Sequence, residues 1–235
     1  MTSLHAPDRT DESPPADFDG FLRNLPLLHS WDDGQTWNTG GFNEDHLRPL
    51  VAFLRGRLPP RPALLETGAG CSTIAFLFLD PGRLVSIAPS AELYARIRSY
   101  CEVQGIAASV LDSRVGFSEW VLPVLAQPVD SAPWVDFALI DGGHGWPTPF
   151  VDFFYANHML RRGGYVMVDD VQIHAVKELA RLLAQQPGFE LALDLGKSLV
   201  FRKTTADRAL PEWNQQPYIL RCTDAISHLA DPFAL

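Results

Sequence analysis

The sequence predicts an α/β fold, a doubly wound and mostly parallel sheet of seven strands that closes on an antiparallel hairpin behind an N-terminal cap. Three observations predict it. From residue 63 to residue 186, short apolar runs alternate with stretches of helical spacing, a pattern that makes parallel strands joined by right-handed crossovers. The first run, Ala63-Leu64-Leu65-Glu66-Thr67, breaks at Gly68-Ala69-Gly70 and resumes with helical spacing through Ile74, Phe76 and Leu77. That is a strand, a tight loop and a helix start. Finally, apolar runs at residues 189–195 and 199–203 flank Gly196-Lys197-Ser198 and read as a hairpin.

The elements follow in order. Residues 1–19 hold Pro, Asp, Ser and Thr with few apolar anchors, so they are expected to be a disordered tail that buries too little surface to offset chain entropy. Residues 20–60 are too apolar for a linker and read as a cap. Leu22, Leu25, Leu28, Trp31 and Trp37 surround the turns at Asp32-Asp33-Gly34 and Gly40-Gly41. Over residues 44–58, Leu47, Leu50, Val51 and Leu54 share a helical face until Pro59-Pro60 stops it. Residues 61–205 form the main domain. After the glycine loop come a strand at 83–88, a helix at 91–104 that stops at Gly105, a strand at 108–111 and a helix at 118–126 that Pro123 is expected to kink. A strand at 135–140 ends at Asp141, a helix covers 150–160, a strand at 164–168 ends at Asp169-Asp170, and a helix spans 174–186. Residues 206–235 are a C-terminal extension.

A net charge of −9 argues against a nucleic-acid partner, whose phosphates call for a basic surface, and favours a small molecule. Three widely spaced cysteines without a Cys-x-x-Cys suggest neither a disulfide framework nor a zinc knuckle. No apolar segment approaches the roughly 20 residues of a membrane span, and no signal core is seen, so the chain is expected to be cytoplasmic. Oligomeric state is left open, a homodimer being one option.

In open α/β sheets the ligand sits beyond the carboxyl ends of the strands, where strand order reverses. Those ends carry Glu66-Thr67-Gly68-Ala69-Gly70, Asp141-Gly142-Gly143-His144 and Asp169-Asp170. Adjacent strands lie about 4.8 Å apart, so Asp141, Asp169 and Asp170 can converge. Oxygen ligands of this kind suit Mg²⁺. The same acids could instead cap helices, and Asp169 and Asp170 can share an ion only if the strand has ended before them.

The series Glu66-Thr67-Gly68-Ala69-Gly70-Cys71-Ser72-Thr73, Ile140-Asp141-Gly142-Gly143-His144 and Gly163-Gly164-Tyr165-Val166-Met167-Val168-Asp169-Asp170 resembles class I S-adenosylmethionine-dependent methyltransferases. Within that class it is most similar to the metal-dependent O-methyltransferases of catechol and macrocin type. The resemblance implies a Rossmann-like methyltransferase fold. It implies that Glu66, Gly68 and Gly70 lie beside the methionine part of S-adenosylmethionine, with Ser72 or Thr73 near its carboxylate. Gly116-Phe117-Ser118-Glu119 resembles the segment bordering the adenine, which makes Ser118 and Glu119 contact candidates. Asp141, Asp169 and Asp170 match the Mg²⁺ positions, and Asp141 also counts as a cofactor contact. One departure stands out. Ala88 occupies the end of the second strand, where the family has an acid that takes both ribose hydroxyls; a charge-assisted hydrogen bond of this kind is worth about 1.5–3 kcal/mol. Ser90 or Glu92 could compensate in part.

The resemblance implies methyl transfer to a hydroxyl of a small molecule. His144, just past Asp141, has the right ordinary pKa to take the hydroxyl proton, and His174 is a second candidate. The aromatic cap and Trp146-Pro147 suggest a flat or glycosidic acceptor. Three rival readings are kept: a methyltransferase fold that binds or regulates without catalysis, motivated by Ala88; a nicotinamide-dependent oxidoreductase, disfavoured by Thr73 in the third glycine place and again by Ala88; and a hydrolase, disfavoured by the lack of a Gly-x-Ser-x-Gly elbow.

Overall fold

The computed structural model describes residues 17–30 and 32–226, with side chains through Thr223. Trp31 and residues 1–16 of the expected tail lie outside the described residues. Helix α1 (Phe18–Arg23) begins two residues before the cap was expected to start, with the Asp17 side chain accepting from Gly20 N. Helix α2 (Glu44–Arg55) is capped by Asn43, which accepts from His46 N, and carries Glu44 and Asp45 in its first turn, where negative charge meets the positive end of the helix dipole.

The strands β1 (Ala63–Thr67), β2 (Arg83–Ala88), β3 (Leu111–Val115), β4 (Val135–Ile140), β5 (Leu160–Val168), β6 (Phe189–Asp194) and β7 (Leu199–Lys203) form one sheet in the order β3-β2-β1-β4-β5-β7-β6. The pairs among β1 to β5 are parallel, while β7 runs antiparallel to β5 and β6. The expected seven-stranded doubly wound sheet with its closing hairpin is therefore observed. Strand order reverses between β1 and β4.

Helices α3 (Cys71–Leu77) and α4 (Ala91–Val103) join α1 and α2 on one face of the sheet. The other face holds α5 (Ser118–Leu125), α6 (Thr148–Met159) and α7 (His174–Leu183). Period-two geometry divides each strand between the two cores. Leu64, Phe137, Leu139 and Met167 face the first layer, and Leu65, Ala138, Ile140 and Val168 the second. With both faces covered, β4 is buried along its whole length, which is why it reads as a continuous apolar run.

Three boundaries differ from expectation. The third strand lies at Leu111–Val115 rather than 108–111, because Leu111 N closes a turn on Ala108 O and the strand then pairs Leu84 with Leu111 through Ala88 with Val115. As an edge strand it tolerates Asp112 and Arg114, Asp112 pairing with both Arg114 and Arg83, so its polarity hid it. The fifth strand starts at Leu160 straight out of α6, with a register shift opposite Val135 and Phe137. Pro123 sits inside α5 without ending it, since a proline six residues into a short helix removes a single intrahelical bond. A 3₁₀ turn (Trp213–Gln215) and α8 (Pro217–Ile226) follow the hairpin. Among the described residues no helix is long and apolar enough to cross a membrane.

Candidate active site

The sheet ladder continues one residue past the strand ends and so aligns the three loops. Asp141 N donates to Thr67 O at 3.0 Å, Asp169 N to Ile140 O at 3.1 Å, and Gly68 N to Ile87 O at 2.9 Å. Gly68 has φ +86°, and a Cβ there would lie 2.2 Å from Asp141 O. Only glycine lets the β1 and β4 loops approach this closely.

Glu66 anchors the glycine loop from below. It is fully buried, accepts from Ser72 Oγ at 3.0 Å and from Thr73 Oγ1 at 2.5 Å, and Thr73 Oγ1 in turn accepts from Gly70 N at 3.0 Å. Burial pushes the Glu66 carboxyl up to about 7. Ser72 and Thr73 thus turn their hydroxyls inward to Glu66 and shape the loop. Above the loop stands a residue that sequence reasoning missed. His29 of the cap has Nε2 2.5 Å from Ala69 O, and a Cβ on Gly70 would meet the same ring at 3.0 Å. Asn38 sets that segment, accepting from Leu28 N and His29 N and donating to Pro26 O at 2.8 Å. No motif marks His29, because its partner is 40 residues away in sequence.

At the end of β2, Ala88 is 5% exposed, and the two expected substitutes for an acid are occupied. Ser90 caps α4, accepting from Leu93 N at 3.1 Å. Glu92 is 81% exposed and pairs with Arg96 at 2.6 Å. At the start of α5, Ser118 is buried and Glu119 half-buried. Ser118 and Thr67 bear on Asp152 of α6, which is 0% exposed and has no regular hydrogen bond to either oxygen; burial pushes its carboxyl up to about 6.

Beyond β4 and β5, His144 Nε2 lies 3.4 Å from Asp141 Oδ1 and 3.6 Å from Asp170 Oδ2. The Asp141 carboxylate raises the His144 pKa, and burial raises that of Asp141 itself. β5 has ended by Asp169, and Asp170 takes φ 58°, so both neighbours reach one cation, the Lys197 ammonium. Asp170 joins His144. Asp169 is buried and receives Lys197 Nζ at 2.6 Å and the Ser198 hydroxyl. Of the expected ligand set, Asp141 and Asp170 face His144, while Asp169 faces Lys197 and Ser198. Among the described residues, Asp141, His144 and Asp170 offer ligand atoms within 4.8 Å of one another, without Asp169. His174, the second base candidate, is 89% exposed beside Glu178 and far from this chemistry in character. Trp146 is exposed and packs on Phe150 at 4.9 Å between ring centroids.

No family model matches this chain, and no curated protein matches it. Solved structures do. TomG from Streptomyces achromogenes, an O-methyltransferase of tomaymycin synthesis in complex with S-adenosylmethionine, aligns at 21% identity over 71% of this chain and 82% of that one, with a TM-score of 0.56. A methyltransferase from Geobacter sulfurreducens aligns at 14% identity over 69% and 80%, with a TM-score of 0.54. An rRNA methylase from Streptococcus thermophilus aligns at 16% identity over 67% and 95%, with a TM-score of 0.50. At these identities the likeness establishes the fold, which is that of class I S-adenosylmethionine-dependent methyltransferases.

Proposed function

We propose that this chain, with its class I methyltransferase fold, is an S-adenosylmethionine-dependent methyltransferase that acts on a hydroxyl of a small molecule. The observation that carries the reading is the convergence, at the point where strand order reverses, of a glycine loop anchored by Glu66 with the Asp141–His144 pair. Glu66, Gly68 and Gly70 frame the donor site, with Ser118, Glu119 and Asp141 along its rim. The net charge of −9 favours a small acceptor over a nucleic acid. A cytoplasmic location and a homodimer belong to the same reading.

Bound there, S-adenosylmethionine supplies a methyl group already activated on a sulfonium. What this chain must add is alignment and a proton acceptor. His144 takes the proton from the acceptor hydroxyl, the oxygen bonds to the methyl carbon, and the carbon–sulfur electron pair leaves with sulfur. Asp141 orients the imidazole and stabilises its charged form. The expected Mg²⁺ fits these residues poorly, because Asp169 is committed to Lys197 and Ser198 while Asp170 shares the same ammonium. No step is routed through it.

The test is calorimetric titration of the pure protein with S-adenosylmethionine, followed by methyl transfer to a panel of hydroxyl-bearing small molecules. Saturable heat and turnover are expected, and His144→Gln should lower kcat by about 10²–10⁴-fold without loss of donor binding. Absence of both heat and turnover refutes the reading. A second reading, a methyltransferase-fold binding protein without catalysis, is favoured by Ala88. Donor binding with no turnover on any acceptor would select it.

A further inference from the structure

The Lys197 ammonium stands where the fold's acidic loops would gather a divalent cation. Lys197 lies at the tip of the β6–β7 hairpin, and its three N–H donors are matched by three acceptors. These are Asp169 Oδ2 at 2.6 Å, Asp170 Oδ1 at 3.1 Å and Gly40 O at 3.2 Å. The Phe42 ring covers it, with its centroid 4.7 Å from Nζ, a distance at which a ring face attracts a cation. The side chain is 19% exposed. The hairpin tip is itself held to the acidic loop, since Val171 N donates to Lys197 O at 2.9 Å and Ser198 donates to the other oxygen of Asp169. Two separate segments, the cap and the β5 loop, thus converge on a positive charge carried by a third, the hairpin tip.

We propose that Lys197 is the resident cation of this site, that it replaces a divalent metal, and that methyl transfer here proceeds without one. A divalent ion held by Asp141, His144 and Asp170 would share the Asp170 carboxylate with the Lys197 ammonium, and the two cations repel each other at this range. An ammonium tethered to the chain is present at high effective concentration and needs no recruitment. As a positioning residue, Lys197 neutralises Asp169 and draws Asp170 toward itself, so that Asp170 Oδ2 remains for His144 while Oδ1 is held. The cap closes over the same charge through Gly40 and Phe42, which links cap docking to the state of the acidic loops. The inference deepens the methyl-transfer reading and rests on it only for the chemistry that the cation supports. The cation itself is measured without donor or acceptor.

The experiment is Mn²⁺ binding to the full chain by electron paramagnetic resonance, for the natural protein and for Lys197→Met, with circular dichroism to confirm that both are folded. The natural protein should leave Mn²⁺ free, and Lys197→Met should bind it at least about tenfold more tightly, the ratio that 1.4 kcal/mol of relieved repulsion gives. Turnover of the natural protein should be the same in chelator as in added Mg²⁺. Stoichiometric, tight Mn²⁺ binding by the natural protein, lost in Asp170→Asn, overturns the proposal. So does a folded Lys197→Met that still leaves Mn²⁺ free. If Lys197→Met does not fold, the natural protein decides alone, free Mn²⁺ supporting the proposal and bound Mn²⁺ refuting it. The Mn²⁺ readings do not depend on whether S-adenosylmethionine binds, so a failure of the methyltransferase reading would be seen separately by calorimetry.

Discussion

Replacing Gly68 by Ala tests whether the contact between the β1 and β4 loops is what builds the site. The added Cβ would sit 2.2 Å from Asp141 O and 2.9 Å from its carbonyl carbon, so the two loops must separate by about 1 Å to reach ordinary contact. Both sides of this contact are backbone, so no side chain can swing aside. Three costs combine. A residue with a Cβ at φ +86° carries about 1–2 kcal/mol, and overpacking carries about 1–3 kcal/mol. Separation also strains the 3.0 Å hydrogen bond from Asp141 N to Thr67 O, worth about 0.5–1.5 kcal/mol. The expected destabilisation is about 3–6 kcal/mol, which for a chain of this size lowers Tm by roughly 6–20 °C. Differential scanning calorimetry reads the first effect, and titration with S-adenosylmethionine reads the second, a loss of donor binding as Asp141 moves off the glycine loop. A Gly68→Ala protein that melts within about 2 °C of the natural one and binds the donor equally would refute this account of the site.

Other expectations follow from the same geometry. Ala88→Asp restores an acid at the end of β2, and calorimetry should show donor affinity rising by about 10- to 100-fold, the equivalent of 1.5–3 kcal/mol; unchanged affinity would mean that the donor ribose does not lie there. Asp152 has a folded pKa near 6 against an ordinary 3.8, so the folded state prefers the proton. Its contribution is fully present below about pH 3.8 and is lost as pH rises through about 6. Asp152→Asn should therefore be more stable than the natural protein at pH 8, by up to roughly 3 kcal/mol, and lose that advantage near pH 4. Urea unfolding at the two pH values decides this, and a constant difference would refute it.

Much of this molecule is legible in one dimension because the carrying signals are local. The alternation of apolar runs and helical spacing reflects burial of each strand on both faces, and Glu66 to Thr73 declare the loop through glycine positions that are nearly contiguous. Asp141 and His144 are three residues apart and approach to 3.4 Å, so their proximity could be read directly. The third strand was misplaced because edge position, not composition, makes Asp112 and Arg114 acceptable in a sheet. That Ser72 and Thr73 both bond Glu66 is not legible, because a sequence does not state the direction of a hydroxyl. Asp169 and Asp170 do meet at one cation, but adjacency along the chain names neither the left-handed angle at Asp170 nor the Lys197 ammonium that joins them.

By itself, then, the sequence determined the α/β class, the glycine loop, the acid-ended strands and the hairpin, all set by periodicity and by backbone demands that span a few residues. Only the tertiary structure decided who meets whom at the carboxyl edge. His29 reaches Ala69 across 40 residues, and Lys197 reaches Asp169 and Gly40 across 28 and 157. Those pairings arise because chain closure brings the cap and the hairpin over the same strand ends, where a buried carboxylate must find a partner of opposite charge. Sequence separation carries no record of that meeting.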